Sequence, residues 1–394
     1  MVVVYYTSVA YLDIALEIVH AVKNAVELHV LIEIAPESKG TNILQVGSLD
    51  ALPVLASPEQ VLDQDALRKL QPYFEGTAST HFFVQQNART FSYQTWQECQ
   101  SLAGFIETIQ PNCIHFDTAK ARALGLLPLL YRKYRKRVLI TIHDPAPHSG
   151  EFNWRNVLVK KGFFPLTSRF LFYSRFSEDT FRKLYPSYKD RTAVLGMYPY
   201  SFYRCFKNNG GAGRRHILFF GRISPYKGVD VFLKAIPLVL SRFPGLSFVI
   251  AGAKSDSYQL SATDLAAAGG QLECRLRHIP NEELVQLVES ALMVVCPYRD
   301  ATQSGVLMTA FACDTGVVAS KVGAFPEFIA EGENGALVPE NDPGALANAI
   351  IEALEKEAPA TWTANLEKQR LENPWLAEKE RLTALYKLVG KKND

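Results

Sequence analysis

HILFFGRISPYKGVD, residues 216–230, carries the decisive pattern of this chain. An apolar run ends in Gly221 and Arg222, a tight Ser224-Pro225 turn follows, and Lys227-Gly228 opens a helical pattern over 228–242. Strand, glycine turn and helix open an α/β unit, and in such units ligands bind beyond the carboxyl ends of the strands. Arg222 and Lys227, two cations five apart over a strand end, suit a diphosphate. The guanidinium forks to two oxygens and the ammonium supplies a compact charge. The competing reading of each alone is a solvated surface cation.

Downstream the pattern repeats: LSFVIAG (246–252), LECRLRHI (272–279), a helix over 281–290, LMVVCP (292–297), a helix over 305–313, TGVVAS (315–320), GALVP (335–339) and a helix over 343–356. Upstream, a polar stretch rich in Gly and Asn around 203–214 reads as a linker. Before it stand VVVYY (2–6), a helix over Asp13–Asn24, HVLIEI (29–34), HFFV (81–84), CIHF (113–116), a helix over 119–135, RVLITI (137–142), FLFYS (170–174) and TAVLG (192–196). The stretch from about 40 to 100 has HFFV as its one plain strand. Continuous apolar strands separated by helices mean parallel strands covered on both faces, a doubly wound α/β sheet in each half. The expected division is 1–205 and 206–374, with 375–394 a charged amphipathic helix whose simplest role is packing.

Three further strand ends hold chemistry. In PYRDATQSGVLMTAFAC (297–313), a polar loop Asp300–Ser304 precedes a helix opened by Gly305. Free N–H groups and the positive helix end there suit an anion, and glycine lets it approach the backbone; the plainer reading is Ser304 as an ordinary N-cap. In VLITIHDPAPHSGE (138–151), His143 follows a strand and can serve as acid, base or donor near neutral pH. It can also simply cap the strand, His148 can be plain loop, and a metal site of His143, Asp144 and His148 has no helical spacing behind it. In VGAFPEFIAEGENGALV (322–338), Glu327 falls in the first turn of a short helix. There it either complements the helix dipole or binds sugar hydroxyls or a lysine.

Composition bounds the rest. With 394 residues, two domains are the default, and 48% hydrophobic with 21% charged residues is ordinary globular composition. Against 42 Lys+Arg stand 40 Asp+Glu, a net of +2 that argues against a dedicated nucleic-acid binder. Cys99, Cys113, Cys205, Cys274, Cys296 and Cys313 form no CxxC pair, several lie in apolar runs, and buried reduced thiols of a cytosolic protein are expected. No apolar run reaches the roughly 18–20 residues of a membrane span. MVVVYY lacks the basic region and cleavage site of a signal peptide. The expected location is cytoplasmic. Neither half opens with strand–GxGxxG–helix, which argues against a nicotinamide dehydrogenase.

Taken in order, FFGRISPYKGVDVFLKAIP (219–237) and PYRDATQSGVLMTAFACDTGVVASKVGAFPEFIAEGENGALVPENDPGALANAI (297–350) resemble a retaining GT-B glycosyltransferase of the large family four, "glycosyl transferases group 1" type. The resemblance is strongest over about 215–357, and TIHDPAPHSGE and FLFYSRFSEDT extend it towards the N-terminus. It implies two Rossmann-like domains facing across a cleft, and transfer of a sugar from a UDP- or GDP-sugar to a glycan or lipid-linked acceptor in polysaccharide biosynthesis. It further implies no metal and no cofactor beyond the nucleotide-sugar substrate. By resemblance Gly221, Arg222 and Lys227 hold the donor diphosphate, with Arg222 and Lys227 stabilising the leaving group. The Ser304–Gly305 helix start adds backbone donors, His143 stands near the anomeric carbon, and the last helix crosses back to the N-terminal domain.

Two departures stand out. Many members carry glutamates eight positions apart in the donor helix, where this chain has Thr302-Gln303-Ser304 and Thr309-Ala310. Thr302, Gln303 and Thr309 would then hydrogen-bond what those carboxylates hold, and Glu327 joins the donor-binding set. The glycine-rich N-terminal acceptor loop of many relatives is Ser8-Val9-Ala10-Tyr11 here. Fixed positive charge and helix-end N–H groups are what a metal-independent transferase needs to stabilise a departing diphosphate. The alternatives are a nucleotide-sugar epimerase or phosphorylase of the same fold, and a non-catalytic partner subunit that keeps the donor fold, which the missing glutamates favour. The basic run 131–137 is either a solvated helix end or a peripheral contact with anionic lipid at the inner membrane face. Base choice rests on backbone contacts near His278–Pro280 and Glu282.

Overall fold

The structure, a computed structural model, describes residues 1–36, 44, 48–87, 89–146, 154–207, 213–255, 258–372 and 375–391. His148, with Ser149 and Gly150, lies outside the described residues. The chain forms two compact units, one of Met1–Tyr173, Glu178–Gly196 and Trp375–Asp394, the other of Ser174–Ser177 and Met197–Pro374. The division falls at 196/197, upstream of the 205/206 boundary expected from composition.

The first unit is built on β1 (Val2–Ser8), β2 (Glu27–Ile34), β3 (Leu55–Ala56), β4 (Ser79–Val84), β5 (Cys113–Phe116), β6 (Val138–Thr141), β7 (Thr167–Phe172) and β8 (Thr192–Val194). Their order is β3-β4-β2-β1-β5-β6-β7-β8. Every pairing is parallel except the short β3 against β4. The inner strands are apolar along their length because helices cover both faces; Val3, Val4, Tyr5 and Tyr6 are all fully buried.

Its main helices are α1 (Leu12–Val22), α2 (Gln64–Phe74), α3 (Tyr93–Ile109), α4 (Leu127–Lys133), α5 (Trp154–Phe163) and α6 (Arg175–Leu184), the last with its first three residues, to Ser177, in the second unit. The sequence reading passed over α2 and α3, although both are capped by their own side chains, Asp63 accepting from Ala66 N–H and Ser92 from Thr95 N–H. In α3 the reason is an inverted pattern: Glu98 and Thr95 are buried while Tyr93 and Trp96 face out. The single helix expected over 119–135 is instead a 3₁₀ segment, Ala121–Leu126, followed by α4. Pro128 falls in the first turn of α4, where a missing N–H costs nothing.

The second unit has β9 (His216–Phe220), β10 (Ser247–Ala251), β11 (Leu272–Arg275), β12 (Ala291–Cys296), β13 (Val317–Ser320) and β14 (Gly335–Val338). All are parallel, in the order β11-β10-β9-β12-β13-β14. Relative to β9 that is 3-2-1-4-5-6, whose order reverses between β9 and β12. The main helices are α7 (Val229–Leu240), α8 (Asn281–Glu289), α9 (Gly305–Ala312), α10 (Pro343–Glu355) and α11 (Ala358–Leu371). The expected linker around 203–214 begins as core instead. Ser201–Phe206 is a 3₁₀ turn whose Phe202, Tyr203 and Phe206 are buried against α8 and α9. Burial of the thiols also holds only in part: Cys99, Cys113, Cys296 and Cys313 are buried, whereas Cys205 and Cys274 are exposed, the latter on edge strand β11. The final helix α12 (Trp375–Gly390) belongs to the first unit, packs on α1, and buries Tyr386 with its hydroxyl 2.9 Å from His115 Nδ1.

Candidate active site

In the second unit the strand-order reversal puts the ends of β9 and β12 side by side, and the candidate donor residues gather there. Gly221 follows β9 at φ +104°, and a Cβ on it would stand 2.9 Å from Val306 Cγ2 and 3.4 Å from Lys227 Nζ. The same backbone point therefore touches the Arg222–Lys227 loop and the first turn of α9. Gly228 is fixed more severely. At φ +66° it lies where a Cβ would fall 1.9 Å from the Pro297 carbonyl oxygen, which locks the lysine turn against the end of β12.

Lys227 is only 8% exposed, and its Nζ donates to Tyr298 Oη at 2.8 Å while lying 4.6 Å from the centre of that ring. Burial in these surroundings, with the nearby Arg222 charge adding to it and Cys296 opposing, lowers its pKa to about 8. Arg222 itself is exposed. Ser304 caps α9, accepting from Leu307 N–H at 3.3 Å, and Met308 N–H reaches the Ser304 carbonyl. Helix geometry leaves the Gly305 and Val306 N–H groups without an intrahelical acceptor. A buried ammonium, an exposed guanidinium and a helix start whose first N–H groups lie outside the helix ladder make a site suited to an anion.

Thr302 and Thr309 are buried and Gln303 is partly exposed. The Thr302 carbonyl accepts from Ser174 Oγ and Ser177 Oγ, both at 3.2 Å. Beside it, the Glu327 carboxylate accepts from Arg175 N–H at 2.8 Å and Phe176 N–H at 2.7 Å, one oxygen to each. Glu327 thus complements a helix start, that of α6 and not its own.

In the first unit His143 follows β6 and is buried. Its Nε2 lies 2.9 Å from the Asp117 carbonyl oxygen and 3.4 Å from Asp117 Oδ1, and its ring stacks on Tyr11 with centroids 4.0 Å apart. Burial pulls the His143 pKa down, but the charge and hydrogen bonds of Asp117 outweigh it and the net direction is up. Burial likewise raises the Asp117 carboxyl, and His143 overrides it, holding Asp117 below the usual carboxylate range. Thr7 Oγ1 donates to Asp117 Oδ2 at 2.9 Å. Asp13, in the first turn of α1, is pushed up to about 6, chiefly by burial. No group of three His, Cys, Asp or Glu among the described residues could hold a metal ion.

Tyr298, Asp117 and Asp13 escaped the sequence reading. Tyr298 and Asp117 each stand within two residues of a strand end, β12 and β5, so the strand-end rule applied to every strand would have found them. The Ser8–Tyr11 departure resolves into a 3₁₀ turn, Val9–Tyr11, that delivers Tyr11 to His143.

Residues 214–356 match the family model described as Glycosyl transferases group 1. The chain is similar to the D-inositol 3-phosphate glycosyltransferase of Mycolicibacterium smegmatis, 34% identical over 156 residues, 38% of this chain and 35% of that one. It is also similar to the phosphatidyl-myo-inositol mannosyltransferase of the same organism, 32% identical over 180 residues, 45% of this chain and 46% of that one. The chain therefore spans less than half the length of the curated relatives it matches. Among solved structures, Anabaena HepE in complex with UDP covers 98% of each chain at TM-score 0.65 and 16% identity. Sucrose-phosphate synthase from Thermosynechococcus elongatus covers 99% of each at TM-score 0.65 and 16% identity. These likenesses establish the fold as GT-B, with two Rossmann-like parallel-sheet units.

Proposed function

We propose, from the glycosyl transferases group 1 domain that residues 214–356 form, that this chain is a glycosyltransferase moving a sugar from a nucleotide-sugar donor to a glycan or lipid-linked acceptor. Configuration at the anomeric carbon is retained and no metal is used. The bond from that carbon to the diphosphate breaks, the leaving group gathers negative charge, and the bond to an acceptor hydroxyl oxygen forms as that hydroxyl gives its proton to the departing diphosphate. Lys227, Arg222 and the Gly305 and Val306 N–H groups meet that charge, stronger in the transition state than before it. Thr302, Gln303 and Thr309 contact the sugar and ribose, and His143, oriented within the first unit by Asp117 and Tyr11, is the histidine that the family resemblance assigns to the donor sugar. Glu327, with both oxygens on backbone N–H groups, serves the donor side by fixing the Ser174–Ser177 segment against the Thr302 loop.

The observation that carries this reading is the buried Lys227 ammonium at the β9/β12 reversal, converging with Gly221 and the start of α9. HepE is described in complex with UDP and UDP-glucose, which makes uridine the first base to test. Calorimetry with UDP, GDP, ADP and their sugars, with and without Mg²⁺, is expected to find one nucleoside diphosphate bound independently of metal. Arg222→Ala and Lys227→Ala should each weaken it at least tenfold. Absence of binding by every nucleotide would turn the assignment to a non-catalytic partner subunit, the reading favoured by threonines in place of paired glutamates.

A further inference from the structure

Pro297, Tyr298 and Arg299, the three residues that follow β12, meet the lysine turn one residue at a time and in reverse order. The Pro297 carbonyl oxygen leaves no room for a Cβ on Gly228, and Tyr298 Oη accepts from Lys227 Nζ. Arg299 N–H then donates to the Tyr226 carbonyl at 2.7 Å, and Arg299 Nη1 to the Pro225 carbonyl at 2.5 Å. All of these residues belong to the second unit.

The turn has a use for such partners. Pro225–Lys227 is a single 3₁₀ turn, and Gly228 at φ +66° ends it before its carbonyls enter a helical ladder. From the backbone of the turn, the Pro225 carbonyl accepts the Gly228 N–H at 3.3 Å, a long bond. Arg299 supplies a shorter one, and its own orientation is fixed from two further sides. Nη1 and Nη2 fork onto Asp230 Oδ1 and Oδ2 at 3.0 and 2.7 Å, and Nε donates to Asn341 Oδ1 at 2.6 Å. Asp230 lies in the first turn of α7 and Asn341 just before α10. One guanidinium thereby joins the lysine turn, the helix after it and the loop beyond β14.

Both members of the Arg299–Asp230 pair are 32% exposed, so the pair adds little to stability and its geometry is what matters. The titratable groups facing Lys227 are Arg222 on its own loop, Tyr226 beside it, and Cys296 and Tyr298 at the end of β12. The Arg299 charge is set against Asp230 instead, which leaves Arg299 to act on the lysine through position. We infer that Arg299 is a positioning residue for the anion site. Clamped by Asp230 and Asn341, it holds the Pro225–Lys227 turn against the end of β12 and fixes where the Lys227 ammonium meets its ligand, a preorganisation that a lysine on a free turn lacks. That the ligand is a nucleoside diphosphate rests on the transferase reading above; the clamp does not.

The test compares the full wild-type chain with Arg299→Ala and Arg299→Lys. Arg242→Ala, which breaks a surface ion pair with Glu355 in the same unit, is the control. Calorimetry with UDP and UMP reads the site. Labelling of Lys227 by acetic anhydride from pH 7 to 10, followed by peptide mass spectrometry, reads the lysine itself. Arg299→Ala is expected to weaken UDP by about fivefold, the size of one lost hydrogen-bonded contact, and UMP by less than about twofold. The inflection of Lys227 labelling should move from about 8 up towards 10.5 as water reaches the ammonium. Arg299→Lys should fall between the two, because an ammonium cannot fork, and Arg242→Ala should change neither reading. UDP affinity unchanged in Arg299→Ala, equal loss of UDP and UMP, or an unmoved labelling inflection would overturn the inference. If Arg299→Ala fails to fold, Arg299→Lys decides on the same readings. A wild-type chain that binds no nucleotide overturns the transferase reading alone, and the labelling inflection then still decides the clamp.

Discussion

Lys227 is a cation kept where it costs stability. Surrounded by Tyr298, Tyr226 and the Gly221 turn, its pKa drops from 10.5 to about 8, burial being the larger cause. At pH 7 roughly nine molecules in ten keep the charge. Affinity for the nucleoside diphosphate should therefore decline from pH 7 to 9 as the ammonium loses its proton, and stay flat in Lys227→Arg; calorimetry across that range checks it. The linkage has the opposite sign for folding. Between about pH 8 and 10.5 the unfolded chain holds a proton the folded one lacks, so stability rises with pH there, and below it the full burial cost is present. Lys227→Met should accordingly be more stable at pH 7, by about 1–3 kcal/mol in denaturant melts, while losing the nucleotide.

His143 and Asp117 are the reverse case, a buried pair that supports the fold. His143 is raised, so its contribution is full below 6.5 and lost as pH climbs through its folded pKa; Asp117 is lowered, so its contribution is lost only in acid. Asp117→Asn should cost about 3–5 kcal/mol near pH 6, the range for removing one partner of a buried pair, and less at pH 9. Thermal melts at the two pH values measure the difference.

At the scale of elements, the start of α6 shows a cap supplied from far away in sequence. Glu327 takes the Arg175 and Phe176 N–H groups and Ser174 Oγ takes that of Ser177, so three first-turn donors are satisfied. Glu327→Ala should lower stability by about 1–2 kcal/mol, and Glu327→Gln by less, since the amide keeps one acceptor. If Glu327 acts only through this contact, neither variant alters the ratio of UDP-sugar to UDP affinity, which calorimetry reads directly. Spacing within 322–338 placed Glu327 in a helix start; that the helix it serves begins at Arg175 was beyond any local pattern. The same holds for α3, whose outward Tyr93 and Trp96 hid it from a periodicity search.

At the scale of the molecule, the chain opens and closes in the same unit. β1 lies beside β5, and α12 lays Tyr386 over that sheet, its hydroxyl on His115 Nδ1 while His115 Nε2 meets Thr141 Oγ1 at 2.8 Å. Burial lowers the His115 pKa to about 4, so the ring is neutral at physiological pH and both bonds are between neutral groups. Tyr386→Phe leaves a buried ring nitrogen unpaired and should cost about 1–3 kcal/mol in the melt of the first unit, without changing nucleotide affinity. No helix among the described residues is long and apolar enough to cross a membrane.

Local sequence determined the strands, the two parallel sheets and the strand-end loops, because burial on both faces writes continuous apolar runs and because turns demand glycine where φ is positive. From that alone Gly221, Arg222, Lys227, Ser304, Gly305 and His143 could be singled out. Tertiary structure alone decided which of them meet. Strand order, set by crossovers of tens of residues, put β9 beside β12 and so brought Lys227 to Tyr298. It also decided burial, which turns a surface lysine into one that loses its proton near pH 8, and it gave His143 an Asp117 partner 26 positions away. Charge, desolvation and cross-chain contact depend on what surrounds an atom, and that is information no stretch of residues carries by itself.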